Sequence, residues 1–110
     1  MQTKDEIVSN WLPRYTGMEL DQFGSYVLLT NFSNYLEKFA AWHSIEIVGK
    51  RKAMPCATTG DITMINFGMG SANAATVMDL LSAINPKAVL FLGKCGALKE
   101  KNKIGDLILP

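Results

Sequence analysis

Apolar positions along this chain fall into short runs separated by polar, glycine-bearing stretches, and the period of each run predicts an element. Residues 4–12 place Ile7, Val8, Trp11 and Leu12 on one side at helical spacing, and Pro13 is expected to end or bend that helix. Arg14 to Phe23 reads as a loop turning at Gly17, with Arg14 a solvated side chain. Tyr26-Val27-Leu28-Leu29-Thr30 is a nearly continuous apolar run, the mark of a buried strand. A helix is predicted from about Tyr35 to His43, with Tyr35, Leu36, Phe39, Ala40 and Trp42 forming a broad apolar face. Asn34 and Glu37 have the spacing of a capping box. Ile45-Glu46-Ile47-Val48 alternates as a strand does.

The second half repeats strand and helix signals in a tighter order. Met54–Ala57 and Ile62–Phe67 are predicted to pair as a hairpin through Thr58-Thr59-Gly60-Asp61. Gly68-Met69-Gly70-Ser71 then makes a turn, with Ser71 expected as helix N-cap. A helix follows from Asn73 to Ile84, its stripe carried by Ala74, Val77, Met78, Leu81 and Ile84, and Asn85-Pro86 closes it. Ala88-Val89-Leu90-Phe91-Leu92 reads as a second buried strand and leads into Gly93-Lys94-Cys95-Gly96. Residues 61–96 thus form a β-α-β unit with an unusual loop after each strand. Ligands of such units gather at the carboxyl ends of the strands. Residues 1–24 are assigned to an N-terminal helix and loop, and 25–110 to the first part of an α/β domain.

Composition narrows the class. A chain of 110 residues with 48% hydrophobic and 19% charged positions is globular rather than disordered. A net charge of +1 makes no electrostatic case for nucleic acid or an acidic membrane. The apolar runs are strand-sized, far below a membrane span, and the N-terminus lacks a signal-peptide layout. Two cysteines, Cys56 and Cys95, match no metal spacing or disulfide framework, so a cytoplasmic setting is expected. Cys56 reads as a packed or half-exposed thiol, since nothing near it in sequence lowers its pKa. The chain stops directly after the strand-like run Ile104–Leu109, and it reads as the front part of a longer, truncated domain.

The chemistry concentrates in the two glycine-bounded turns. Glycines at 68 and 70 permit positive φ and close approach of backbone to a ligand. The helix that follows directs its free N–H groups toward the turn. The turn lacks the third glycine of a dinucleotide fingerprint, and Gly93–Gly96 lacks the long glycine-rich lead of a P-loop. Lys94 is not needed for packing at the end of a strand, and its place opposite the Gly68–Ser71 turn assigns it to ligand contact. His43, the single histidine, sits at a helix end where a cationic imidazole suits the dipole. Lys50-Arg51-Lys52 and the alternating Lys99, Lys101 and Lys103 read as solvated loops.

Taken together, Leu28-Leu29-Thr30-Asn31-Phe32, Ile65–Thr76 with its Gly-Met-Gly-Ser turn, Asp79–Ile84, Leu92-Gly93-Lys94-Cys95-Gly96 and Gly105-Asp106-Leu107-Ile108 resemble the nucleoside phosphorylase/nucleosidase superfamily. Within it they look most like the AMP nucleosidase family in its shorter bacterial form. Gly105–Ile108 resembles the next strand of that fold. The resemblance implies a three-layer αβα sandwich around a mixed sheet, homo-oligomers, and no metal or organic cofactor. It also implies a hydrolase that splits the N-glycosidic bond of AMP into adenine and ribose 5-phosphate. The alternatives are a purine nucleoside phosphorylase or another nucleosidase of the same fold, and a non-catalytic nucleotide-binding module. Where phosphorylases carry Gly-Asp-Pro, this chain has Thr30-Asn31-Phe32, and Phe91 and Lys94 replace an arginine and a serine or threonine. Loss of the arginine fork disfavours a phosphate nucleophile, which leaves water. The implied substrate-binding residues are Thr30, Asn31, Gly68, Met69, Gly70, Ser71, Lys94, Cys95 and Gly96, with the Gly68–Ser71 turn and Met69 on the ribose. Lys94 and the Thr30-Asn31 loop are assigned to the polar end of the pocket, as candidates for a 5′-phosphate or an effector phosphate. The acid that protonates the base matches no residue here; neither Asp79 nor Asp106 stands in its place, and the fragment reads as catalytically incomplete.

Overall fold

The computed structural model describes residues 1–110. Helix α1 spans Lys4–Thr16 and opens with a reciprocal cap: the Glu6 N–H donates to Thr3 Oγ1 (3.2 Å) and the Thr3 N–H to Glu6 Oε2 (2.9 Å). Pro13 lies inside the helix and does not end it. A proline so close to the C-terminus forfeits one helical hydrogen bond. The last turn is held instead by the Gly17 N–H on the Pro13 carbonyl (2.7 Å) and the Thr16 hydroxyl on the Leu12 carbonyl (2.8 Å). Val8, Leu12 and Thr16 form the buried stripe, while Ile7 and Trp11 stay partly exposed. Arg14 lies over the Trp11 ring at 5.2 Å.

Strand β1 (Tyr26–Thr30) is the centre of the sheet. It pairs in parallel with β3 (Ile62–Asn66) on one side and β4 (Ala88–Leu92) on the other, while β2 (Cys56–Thr59) runs antiparallel to β3. The order is β2-β3-β1-β4. The hairpin forms, but later and tighter than the apolar pattern suggests, with only Gly60-Asp61 between its strands. Ile45–Val48 is not a strand. Val48 alone bridges to Cys56, exchanging bonds of 2.7 and 3.0 Å, and the rest has no neighbour with which to form a ladder.

Helix α2 (Ser33–His43) follows β1 and helix α3 (Ser71–Leu81) joins β3 to β4, and the two lie on opposite faces of the sheet. One core holds Val8 and Leu12 of α1, Val27 and Leu29 of β1, Ile65 of β3, and Val77, Leu80 and Leu81 of α3. The other holds Leu36, Phe39 and Ala40 of α2 with Ala57 and Met64. Alternate residues of each strand therefore feed opposite cores, which gives the expected αβα sandwich with a mixed sheet. Two helix starts differ from expectation. The capping box of Asn34 and Glu37 is absent because α2 already begins at Ser33. Ser71 is the first residue of α3 rather than its cap, and Gly70 occupies the cap position.

The apolar strand β4 is an edge. It bonds to β1 alone, so Leu90 (51% exposed) and Phe91 (55%) are not covered on their outer sides. Its all-apolar run suggested burial on both faces, but an edge strand lacks the second neighbour that would cover it. Residues 93–110 contain no strand, so the strand expected at Gly105–Ile108 is absent and these residues have no ladder partner. No helix is long and apolar enough to cross a membrane.

Candidate active site

The parallel register aligns Thr30, Asn66 and Leu92, so β1, β3 and β4 end at one level. The loops that follow them share that rim, with Asn31-Phe32 between the Gly68–Ser71 and Gly93–Gly96 turns. Thr30 is fully buried, and its hydroxyl accepts from the Phe32 N–H (3.2 Å) while its carbonyl accepts from the Phe67 N–H (3.1 Å). These bonds pin the chain as it leaves the central strand. Across the rim, Asn66 Oδ1 accepts from the Gly68 N–H at 3.1 Å.

Gly68 and Gly70 adopt φ of 83° and 95°, where a side chain is strained, so the turn needs glycine at both places. The Gly70 carbonyl accepts from the Ala74 N–H (3.1 Å), closing the first turn of α3. The N–H groups of Ser71, Ala72 and Asn73 have no protein acceptor, and no side chain caps them. They carry the positive end of the helix dipole.

A cavity of about 390 Å³ opens beside this turn, on the α3 face of the sheet. Leu29, Phe67, Ala74, Met78, Val89 and Phe91 form its apolar walls, and Asn31, Gly70 and Ser71 its polar part. Phe91 stands tilted against Phe67 with ring centres 5.8 Å apart. No charged side chain is among the lining residues. Asn31 Oδ1 is buried and has no hydrogen-bond partner.

The rim divides the residues singled out in the sequence. Asn31, Gly70 and Ser71 meet at the cavity, and Gly68 and Thr30 build the backbone beneath it. Met69 is 77% exposed and is not among the lining residues. Lys94 lies on the α2 side, its Nζ 4.5 Å from the Phe32 ring centre and 5.5 Å from that of Tyr35. An ammonium over aromatic faces is held by their quadrupoles, so Lys94 shares the rim with the Gly68–Ser71 turn without lining the cavity. Cys95 and Gly96 are exposed and line nothing there either. Asp79 faces outward from α3 and pairs with Lys4 at 3.3 Å, and Asp106 accepts from the Lys103 N–H. The apolar walls carry no chemical mark in the sequence, since each of these residues also suits plain packing. Their signal was the two-residue alternation that puts Val89 and Phe91 on the same face as Leu29 and Phe67.

Residues 26–110 match the family model described as the phosphorylase superfamily. AMP nucleosidases from two strains of Escherichia coli are 29% identical to this chain over 135 aligned positions, covering 89% of it. The crystal structure of AMP nucleosidase from Bacteroides thetaiotaomicron superposes with a TM-score of 0.86 at 63% identity, covering 88% of this chain. The chain spans 28% of the length of the Escherichia coli relatives and 42% of the Bacteroides one. The family match runs through both glycine-bounded turns and the strands that carry them, and this chain belongs to the phosphorylase superfamily.

Proposed function

We propose that this chain supplies the nucleotide-sugar side of an AMP nucleosidase, a hydrolase that gives adenine and ribose 5-phosphate. In that reaction the bond between the sugar's C1′ and the adenine N9 breaks, and its electron pair leaves with the base. Oxygen of water bonds to C1′, one water proton ends on adenine, and the other remains in the new hydroxyl. The sugar carries positive charge at the transition state, so an attacking water must be positioned while competing anions are kept out.

The observation that carries this reading is the uncharged cavity beside the Gly68–Ser71 turn, walled by Phe91. A dianionic phosphate entering it would lose hydration and find, among these residues, no cationic side chain and only the free N–H groups at the start of α3 to compensate, which is costly. A neutral sugar and water suit it. Asn31, Gly70 and Ser71 supply the polar contacts, with Thr30 and Gly68 shaping the loops. Met69 is proposed to fold over the ribose when ligand is present. Lys94, with Cys95 and Gly96 setting its turn, is proposed to hold the 5′-phosphate outside the cavity. The ligand is a purine nucleotide, and the acting protein is a cytoplasmic homo-oligomer. Residues 25–110 are the first part of its catalytic domain, with residues 1–24 an N-terminal helix and loop. The group that protonates the base lies outside the cavity lining seen here.

The test joins residues 1–110 to the downstream remainder of the Bacteroides relative and measures adenine release from AMP and from adenosine, with and without phosphate. Adenine from AMP, at a rate unchanged by withholding phosphate, is expected. Cleavage that requires phosphate, or no AMP cleavage while the relative itself is active, would overturn the reading. Lys94→Ala in the same protein is expected to raise the KM for AMP about tenfold or more, the scale of one charge-assisted contact. An unchanged KM would remove Lys94 from the phosphate.

A further inference from the structure

Beside the cavity lies one buried side-chain atom whose hydrogen bonding is unsatisfied. Asn31 Oδ1 is buried, has no partner, and belongs to a residue that lines the cavity between Leu29 and the Gly70-Ser71 turn. Buried carbonyl oxygens are nearly always bonded, and an exception calls for a cause. The backbone around it does have its bonds: Phe32 N–H reaches Thr30 Oγ1, and Phe67 N–H reaches the Thr30 carbonyl. The torsion that turns the Asn31 amide is broad, so a partial rotation suffices to open the oxygen to the cavity its residue lines.

We propose that Asn31 is a specificity-determining residue that accepts a hydrogen bond from a ribose hydroxyl of the nucleotide, an assignment that rests on the nucleosidase reading above. The direction of the bond selects the ligand group. A carbonyl oxygen only accepts, so it needs a donor. Phosphate oxygens are acceptors and bear charge, and they leave Asn31 unsatisfied. The other cavity walls are apolar apart from Gly70 and Ser71, of which Ser71 carries a hydroxyl and a backbone N–H without a protein acceptor. A ring hydroxyl meets both kinds of partner: it donates to Asn31 and accepts from the Gly70–Ser71 side. An analogue lacking that hydroxyl leaves the Asn31 oxygen unpaired once more, and a buried polar group left unpaired is what makes such sites discriminate.

The experiment uses the joined protein described above and compares kcat/KM for AMP, 2′-deoxy-AMP and 3′-deoxy-AMP. The parent is expected to prefer AMP to at least one deoxy analogue by about 10- to 100-fold, the range of one lost hydrogen bond with an orphaned partner. Asn31→Leu, of similar size, is expected to cut that preference to about threefold or less, with the loss falling on AMP. Asn31→Asp keeps an acceptor oxygen and is expected to retain the preference while lowering the rate for every substrate. If Asn31→Leu fails to fold, Asn31→Ser withdraws the amide oxygen and reads the same ratio. A merely structural role lowers all three substrates together and leaves the ratio alone, which would overturn the assignment. Full preference persisting in Asn31→Leu, or no preference in the parent, would do so as well. In each of those cases AMP is still cleaved and the nucleosidase reading survives. No AMP cleavage by the parent overturns that reading, and this assignment with it.

Discussion

Asp61 closes the amino end of the sheet, opposite the candidate site. Its carboxylate accepts from the Ser25 N–H at 2.8 Å, and its carbonyl from the Tyr26 N–H at 3.0 Å. Hydrogen bonding from Ser25 holds its pKa below the ordinary value, with Lys87 adding a smaller pull. A pKa lowered by folding means stability that is complete above the ordinary carboxylate range and lost as pH falls through the folded value. Asp61→Ala is therefore expected to melt below the parent at pH 7, with the gap closing below about pH 4. Thermal melts across that range check it. Cys56 behaves in the opposite sense. It is fully buried beside Thr16 and Met18, and burial pushes its thiol up to about 12. A thiol reagent at pH 8 is expected to label Cys95 promptly and Cys56 only after denaturation. Two fast thiols in the native protein would contradict the packing. Of these traits, sequence left Cys56 as a packed or half-exposed thiol, and the fold makes it fully buried. Sequence did not convey the Asp61 clamp, whose partner is 36 positions away.

Elements carry the stability in proportion to the layers they join. Ile65 is fully buried in β3 and belongs to the core shared with α1, β1 and α3. Ile65→Ala is expected to cost about 2–5 kcal/mol in urea unfolding, and Ile62→Ala, at the exposed start of the same strand, less than about 1 kcal/mol. Equal losses would mean that the buried middle of β3 and its exposed start are not distinguished as described. Element type was legible wherever apolar periodicity was strong, as in β1, α2, α3 and β4. Boundaries were less so. Signals such as Asn34 with Glu37, or Ser71, describe what a helix end favours locally, but the ends observed follow from where the preceding strand releases the chain. Ile45–Val48 alternates like a strand, yet only Val48 finds a neighbour.

At the scale of the 110-residue chain, the uncovered side of β4 dominates. Leu90 and Phe91 are exposed on an edge with unpaired backbone groups, a surface that favours association. Leu90→Lys is expected to reduce concentration-dependent sedimentation of the 110-residue chain without altering its circular dichroism. Unchanged sedimentation would show that this edge is not what associates. By itself the order of residues determined the α/β class, the strand-turn-helix units and the two glycine-bounded turns, because periodicity and backbone freedom are local properties of the chain. Only the folded arrangement decided that β4 is an edge, that Lys94 rests on Phe32 and Tyr35, and that Asn31, Gly70, Ser71 and Phe91 share one cavity. Those relations depend on which strands pair and which face each helix covers, and residues far apart in the chain settle both.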